Sequence, residues 1–214
     1  MKIKVCGMRD SENIIRLTEL KPDYMGLIFY PRSSRYAESP DAQLLVTLPD
    51  SIKLVGVFVD ATIQEIVKKV KEFRLDAVQL HGSESVAYCS ELRKSLTETI
   101  NGRQVEIFKA FGLSADFNFE ILNDYMPVCD FFLFDTKTSS HGGSGIVFDW
   151  ELLAKYSGPK PYFLSGGLSP ENISGISKFA DKYLYGVDLN SKFEIEPGLK
   201  NIDSLKQAFT LLRN

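Results

Sequence analysis

Eight short apolar runs rich in β-branched and aromatic residues alternate without exception with eight segments of helical period, and this alternation is what most restricts the fold. The runs are 3–6, 24–29, 53–59, 77–80, 105–111, 131–134, 162–165 and 184–189. Between and after them the apolar residues recur at helical spacing over 11–20, 41–48, 62–73, 83–96, 115–125, 149–156, 170–179 and 201–213. Ser11, Ser83 and Asp203 stand at positions suited to cap three of these helices. Strands that alternate with helices pair in parallel, because each helix supplies the crossover that a parallel neighbour requires. A chain of 214 residues lies near the lower length of a (β/α)8 barrel, which is roughly 200. The expectation is an α/β protein with one (β/α)8 TIM barrel domain over residues 1–214. A doubly wound open sheet is the alternative, but no GxGxxG follows the first strand and all eight units fit the barrel without remainder.

Charge narrows the partners. With 25 basic and 28 acidic side chains the net charge is -3, so no positive excess drives binding to nucleic acid or to an anionic membrane. No apolar stretch approaches the roughly 20 residues that span a bilayer, and the opening residues do not read as a secretory signal. Three cysteines, Cys6, Cys89 and Cys129, are an odd number in a chain large enough to need no disulfide staples. Reduced thiols and a cytoplasmic location are expected. No Cys-x-x-Cys occurs and two histidines are few for a metal site, so no metal or cofactor is expected.

In a barrel of this kind the chemistry sits at the C-terminal ends of the strands, where this sequence is polar. Alternation along a strand puts Lys4 with Cys6, Gln79 with His81, Ile107 with Lys109, and Leu133 with Asp135 on shared faces. Val5, Val78, Leu80, Phe108, Phe132 and Phe134 take the opposite face, toward the helices, so the polar set points into the barrel mouth. Cys6 alone reads as a small buried hydrophobe, but at a strand end before Gly7 it also stands where a thiolate removes a substrate proton. Asp135 reads as a loop cap or as an acid across the mouth from that thiol. Asp188, inward on the eighth strand, can pair with a lysine. His81 reads as a ligand-facing group or as a histidine satisfied by a backbone partner, and Cys89 and Cys129 fit the core.

The loops add three features. Arg35, in "YPRSSRY" after the second strand, carries a guanidinium suited to fork a carboxylate. "SGGLSPENI" after the seventh strand brings the backbone N–H groups of Gly166 and Gly167 to where a phosphate binds without Cβ interference, and "DLNSKFE" after the eighth closes the other side. "HGGSGIVFDW" after the sixth strand reads as a lid or as a plain connection.

The segments "KVCGM", "GLIFYPRSSRY", "VGVFVD", "VQLHG", "LFDTKTSSHGGSGIVFDW", "LSGGLSPENI" and "GVDLNSKFEIEPGLKN" fall in order along the whole chain and resemble the phosphoribosylanthranilate isomerase family of tryptophan biosynthesis. The resemblance implies an Amadori rearrangement of an N-linked phosphoribosyl anthranilate to its 1-deoxyribulose form, without metal or cofactor. It implies Asp135 as the general acid at the ribose ring oxygen and Cys6 as the general base at C2'. By the same likeness Arg35 clamps the anthranilate carboxylate, Gly166, Gly167 and the loop carrying Asn190 and Ser191 hold phosphate, and Gln79, His81 and Asp188 complete the substrate site. The partner is then a small phosphosugar bound by a monomer or homodimer, with no nucleic acid and no membrane. The chain departs from the family pattern at "LNSKF", where Asn190, Ser191 and Lys192 replace a small Ser-Gly. Three rivals remain: a Schiff-base aldolase using Lys109 or Lys4, a metal-dependent epimerase, and a non-catalytic phosphosugar-binding barrel.

Overall fold

Parallel pairing runs unbroken around a closed barrel of eight strands, with β1 hydrogen-bonded to β8. The computed structural model describes residues 1–99, 103–136, 150–178 and 181–213. Its strands are β1 (Lys2–Cys6), β2 (Tyr24–Ile28), β3 (Lys53–Phe58), β4 (Ala77–Leu80), β5 (Glu106–Leu113), β6 (Phe131–Thr136), β7 (Tyr162–Leu164) and β8 (Leu184–Leu189). The single barrel expected from the alternation is the fold observed. The glycine-bearing loop at 141–149 lies outside the described residues.

Helices α1 (Ser11–Thr18), α2 (Ala42–Val46), α3 (Ile63–Phe73) and α4 (Val86–Thr99) follow the first four strands. Their starts are set by side chains that accept otherwise orphaned N–H groups. Asp10 caps α1 through Asn13 N, and Thr62 and Glu65 form a reciprocal capping box on α3. The expected caps are displaced by one or two residues: Asp10 acts instead of Ser11, Ser85 receives the N–H of Tyr88 in place of Ser83, and Asn201 receives that of Ser204 in place of Asp203.

After β5 the connection shrinks to a 3-10 turn (Phe119–Ile121) and α5 (Leu122–Tyr125), and single 3-10 segments, Trp150–Lys155 and Ile173–Lys178, follow β6 and β7. The last of these contains two isoleucines, two serines and Gly175, all weak helix formers. Full helix returns in α6 (Ile202–Arg213). One pairing has no counterpart in the sequence reading: β9 (Glu194–Glu196) and β10 (Leu199–Lys200) form an antiparallel hairpin beyond β8.

The interior of the barrel is plugged by Tyr24, Val55, Ala77, Phe108, Phe131, Leu133 and Phe163, with the Phe108 ring 4.9 Å from Phe131 and 5.1 Å from Phe163. This layer is a packed floor beneath the polar strand ends. Val5, Val78, Leu80, Phe132 and Phe134 pack outward in the shell between sheet and helices, as the alternation predicts.

Strand β5 corrects the expectation. Phe108 and Ala110 belong to the interior plug, whereas Ile107 and Phe111 belong to the outer shell. Lys109 shares that outward face, and its buried ammonium is 3.0 Å from Glu84 and 2.8 Å from the Gly82 carbonyl. A lysine with a matched carboxylate behind the sheet is stable there, and an aromatic fills the floor better than a charge. Among the described residues no helix is long and apolar enough to cross a membrane.

Candidate active site

Cys6 ends β1 with its side chain buried in the barrel mouth. Its neighbour across the ladder is Gly26, where an added Cβ would come within 2.8 Å of the Cys6 sulfur, so only glycine leaves room for the thiol. One pleat below, Lys4 faces its ladder partner Asp188 on β8, with Nζ and Oδ1 2.9 Å apart. The pairing anticipated for Asp188 is therefore with Lys4, and the ammonium is committed to a carboxylate. Burial opposes the charge on Lys4, but the Asp188 carboxylate, with the Cys6 sulfur beside it, outweighs this and raises the lysine pKa.

Burial likewise pushes the Cys6 thiol above its ordinary range. The Lys4 and Lys200 cations work against this rise, and Asp188 adds to it. The free protein therefore holds Cys6 as a thiol.

On the far side of the mouth, Asp135 ends β6 and His81 follows β4. His81 Nε2 is 3.4 Å from Asp135 Oδ2, and His81 Nδ1 is 2.8 Å from the buried Gln79 amide nitrogen. The Gln79 contact on Nδ1 fixes the ring orientation and turns Nε2 toward Asp135. Gln79 Oε1 is buried with no hydrogen-bond partner among the described residues. The fields of both Asp135 and His81 reach Asp188, whose pKa is raised chiefly by burial against the pull of Lys4. Cys6, Lys4, Asp188, His81 and Asp135 thus lie within electrostatic reach of one another at the strand ends above the aromatic floor.

A second group lies beside Cys6. Gly7 adopts φ +79, and an added Cβ would lie 2.9 Å from Arg35 Cδ, 2.9 Å from Asn190 Oδ1 and 3.4 Å from Lys200 Nζ. Arg35 is held by Glu194 of β9: Nε is 2.9 Å from both carboxylate oxygens and Nη2 is 2.6 Å from Oε2. Lys200 of β10 donates to Glu194 at 2.5 Å and to Asn190 Oδ1 at 2.8 Å. Glu194 and Lys200 were not candidates from sequence. Pro197-Gly198 between them, with Gly198 at φ +88, is the turn signal that folds both residues back onto the mouth.

Gly166 and Gly167, following β7, both adopt positive φ, +79 and +68, a conformation that glycine takes without Cβ strain. Asn172 braces this loop by donating to Gly167 O at 2.7 Å and accepting from Ser169 N at 2.9 Å. Ser191 opens a 3-10 turn after β8, and Lys192 next to it is exposed, its charge acting on Glu171 of the glycine loop. Cys89 and Cys129 are buried free thiols raised by burial to about 11 and about 12, which suits inert core residues. Among the described residues no cluster of His, Cys, Asp and Glu has the makings of a metal site.

A family profile described as N-(5'-phosphoribosyl)anthranilate isomerase matches residues 3–210. A protein of that name from Parabacteroides distasonis is 44% identical over 208 residues, covering 96% of this chain and 90% of its own length. Among solved structures, phosphoribosyl anthranilate isomerase from Thermotoga maritima superposes with a TM-score of 0.84 at 32% identity, covering 100% of this chain and 98% of the other. A further phosphoribosyl anthranilate isomerase, in complex with reduced 1-(o-carboxyphenylamino)-1-deoxyribulose 5-phosphate, matches with a TM-score of 0.81 at 31% identity over 100% of this chain and 98% of its own.

Proposed function

The chain belongs to the N-(5'-phosphoribosyl)anthranilate isomerase family, and from that premise we propose how its own residues carry the rearrangement. The substrate is N-(5-phosphoribosyl)anthranilate, a glycosylamine whose ring opens when its ring oxygen is protonated. Asp135 is the acid. As its proton passes to the ring oxygen, the C1'–O bond breaks and the nitrogen lone pair forms the C1'=N iminium.

The iminium acidifies C2'. Cys6, as thiolate, takes the C2' proton, the C–H electrons become the C1'=C2' bond, and the iminium electrons return to nitrogen. The enolamine then takes a proton at C1' from solvent while its C2' hydroxyl releases one to solvent, leaving C2' as the ketone. A thiol held protonated by burial is suited to this sequence, because the cation generated beside it favours release of the thiol proton to solvent, giving thiolate at the step that needs a base. His81, donating from Nε2, orients the Asp135 carboxyl, and Gln79 fixes the ring orientation that does so.

Arg35 binds the anthranilate carboxylate, and Asp188 faces the ribose hydroxyls from below. Gly166 and Gly167 offer backbone N–H groups to the phosphate, with Asn190 and Ser191 closing the opposite side. No cofactor enters any step. The buried, unpaired cysteines suit a cytoplasmic setting, and the protein acts as a monomer or homodimer on a small phosphosugar.

The observation that carries this reading is the placement of Cys6 and the Asp135–His81 pair around the mouth in which Lys4 and Asp188 lie. Its test is turnover of freshly generated phosphoribosyl anthranilate, followed by fluorescence in a stopped-flow instrument. Absence of turnover by folded protein refutes it.

A further inference from the structure

The hairpin of β9 and β10 does more than cover the end of β8. Its backbone is fastened to the first βα loop and to α1. Arg9 donates to Pro197 O at 2.9 Å and to Ser34 O at 3.2 Å, tying the hairpin turn to the loop that carries Arg35. Asn13 pairs with the backbone of Lys200 on both sides, donating to its carbonyl at 2.9 Å and accepting from its N–H at 2.7 Å. These anchors leave the Lys200 and Glu194 side chains little freedom, and both are nearly free of solvent.

The Glu194 carboxylate is fully subscribed by Arg35, by Lys200 and by the N–H of Gly198 at 3.1 Å. Burial raises its pKa, but these donors together hold it below the usual carboxylate range, so it is ionised. A guanidinium has five N–H groups in a rigid fork. Glu194 takes Nε and one side of Nη2, and among the described residues Nη1 has only a 3.4 Å contact to Ser34 Oγ. An arginine gripped along one edge has its plane fixed while N–H groups of Nη1 and Nη2 stay unspent. An arginine neutralised by a single carboxylate would hold little attraction for a second, and Lys200 on the same carboxylate counters that loss.

We propose that Glu194 and Lys200 are positioning residues for recognition of the substrate carboxylate: Glu194 fixes the plane of Arg35 by its Nε–Nη2 edge, and Lys200 offsets the Glu194 charge so that Arg35 keeps its pull on a second carboxylate. This rests on the reading of Arg35 as the anthranilate clamp. Neither residue touches the reacting atoms. Their effect falls on discrimination between a carboxylated substrate and one without the group, because the binding term they support exists only for the former.

The test compares N-(5-phosphoribosyl)anthranilate with N-(5-phosphoribosyl)aniline, which lacks the carboxylate, in the wild type, Arg35→Met, Glu194→Gln, Glu194→Ala, Lys200→Met and Lys200→Arg proteins. The readout is the ratio of kcat/KM for the two substrates. A lost charge-assisted hydrogen bond predicts a fall in that ratio of about tenfold or more in Arg35→Met, Glu194→Ala and Lys200→Met, carried mainly by KM for the anthranilate compound. Lys200→Arg should restore most of it. Should Glu194→Ala fail to fold, Glu194→Gln keeps the shape and decides alone.

A wild-type ratio retained in folded Glu194→Gln and Lys200→Met, or an equal rise in KM for both substrates, overturns the proposal. If Arg35→Met itself keeps the wild-type ratio, the clamp reading fails and the proposal falls with it. A wild type that turns over neither substrate refutes instead the isomerase reading.

Discussion

Lys4 and Asp188 face each other across the β1–β8 ladder with Nζ and Oδ1 2.9 Å apart, both buried, and Cys6 lies one pleat above the lysine. The pair closes the barrel between its first and last strands and sets the charge beneath the thiol. Lys4→Met strands a buried carboxylate and should cost about 3–5 kcal/mol. Lys4→Met combined with Asp188→Leu should recover part of that loss. Urea unfolding of the single and double variants checks both statements, and equal stability of Lys4→Met and wild type would remove the pair from this role.

The pH dependence of Cys6 has a definite sign. Its folded pKa is raised by burial, with Lys4 and Lys200 opposing, so thiolate accumulates only above the ordinary cysteine value of about 8.5. The kcat/KM profile should still be climbing as pH passes through that region. Stability should fall over the same range, because the unfolded chain loses the proton first, and Cys89 and Cys129, raised to about 11 and about 12, add to the fall with the same sign. Rate profiles and urea midpoints between pH 7 and 10 test this, and a flat profile there speaks against Cys6 as the free-state thiol.

Asp135→Asn keeps the shape of the side chain but removes the proton that the proposed ring opening uses. Turnover should drop by about a hundredfold or more at every pH, with the fold unchanged. Normal turnover at the pH optimum would assign the acid elsewhere.

Much of this site was legible in strand-end residues. Cys6, Gln79, His81, Asp135 and Asp188 are short or rigid side chains whose facing follows from strand alternation, and all of them meet in one mouth. Lys109 breaks the pattern because its stem lies behind the sheet, where Glu84 awaits it and Phe108 takes the floor. Strand alternation does not mark Lys200 and Glu194, because their placement depends on a hairpin and on Asn13, which is 187 residues away from Lys200. The sequence marks Arg35 as a guanidinium suited to fork a carboxylate, and in the structure the carboxylate on one of its edges is Glu194 of the chain itself.

Lys192, exposed beside the glycine loop, should contribute charge alone. Lys192→Gly should raise KM, weaken the salt dependence of KM and leave kcat nearly unchanged, since phosphate is held alike in ground and transition states. Identical salt curves for the two proteins would place Lys192 outside the phosphate's field.

Prolonged treatment with EDTA should leave turnover unchanged, because the acid-base chemistry proposed for Asp135 and Cys6 needs no metal and no candidate cluster occurs among the described residues. Loss of activity that one divalent ion restores would favour a metal-dependent sugar-phosphate epimerase.

The central claim is that the Cys6 thiol at the end of β1 is the base for C2'. It is tested most directly by single-turnover fluorescence with freshly generated phosphoribosyl anthranilate, comparing wild type with Cys6→Ala after circular dichroism and thermal unfolding have shown that both are folded. The account predicts ready turnover by the wild type and a loss of at least about a hundredfold in Cys6→Ala. Wild-type rates in folded Cys6→Ala protein would contradict it.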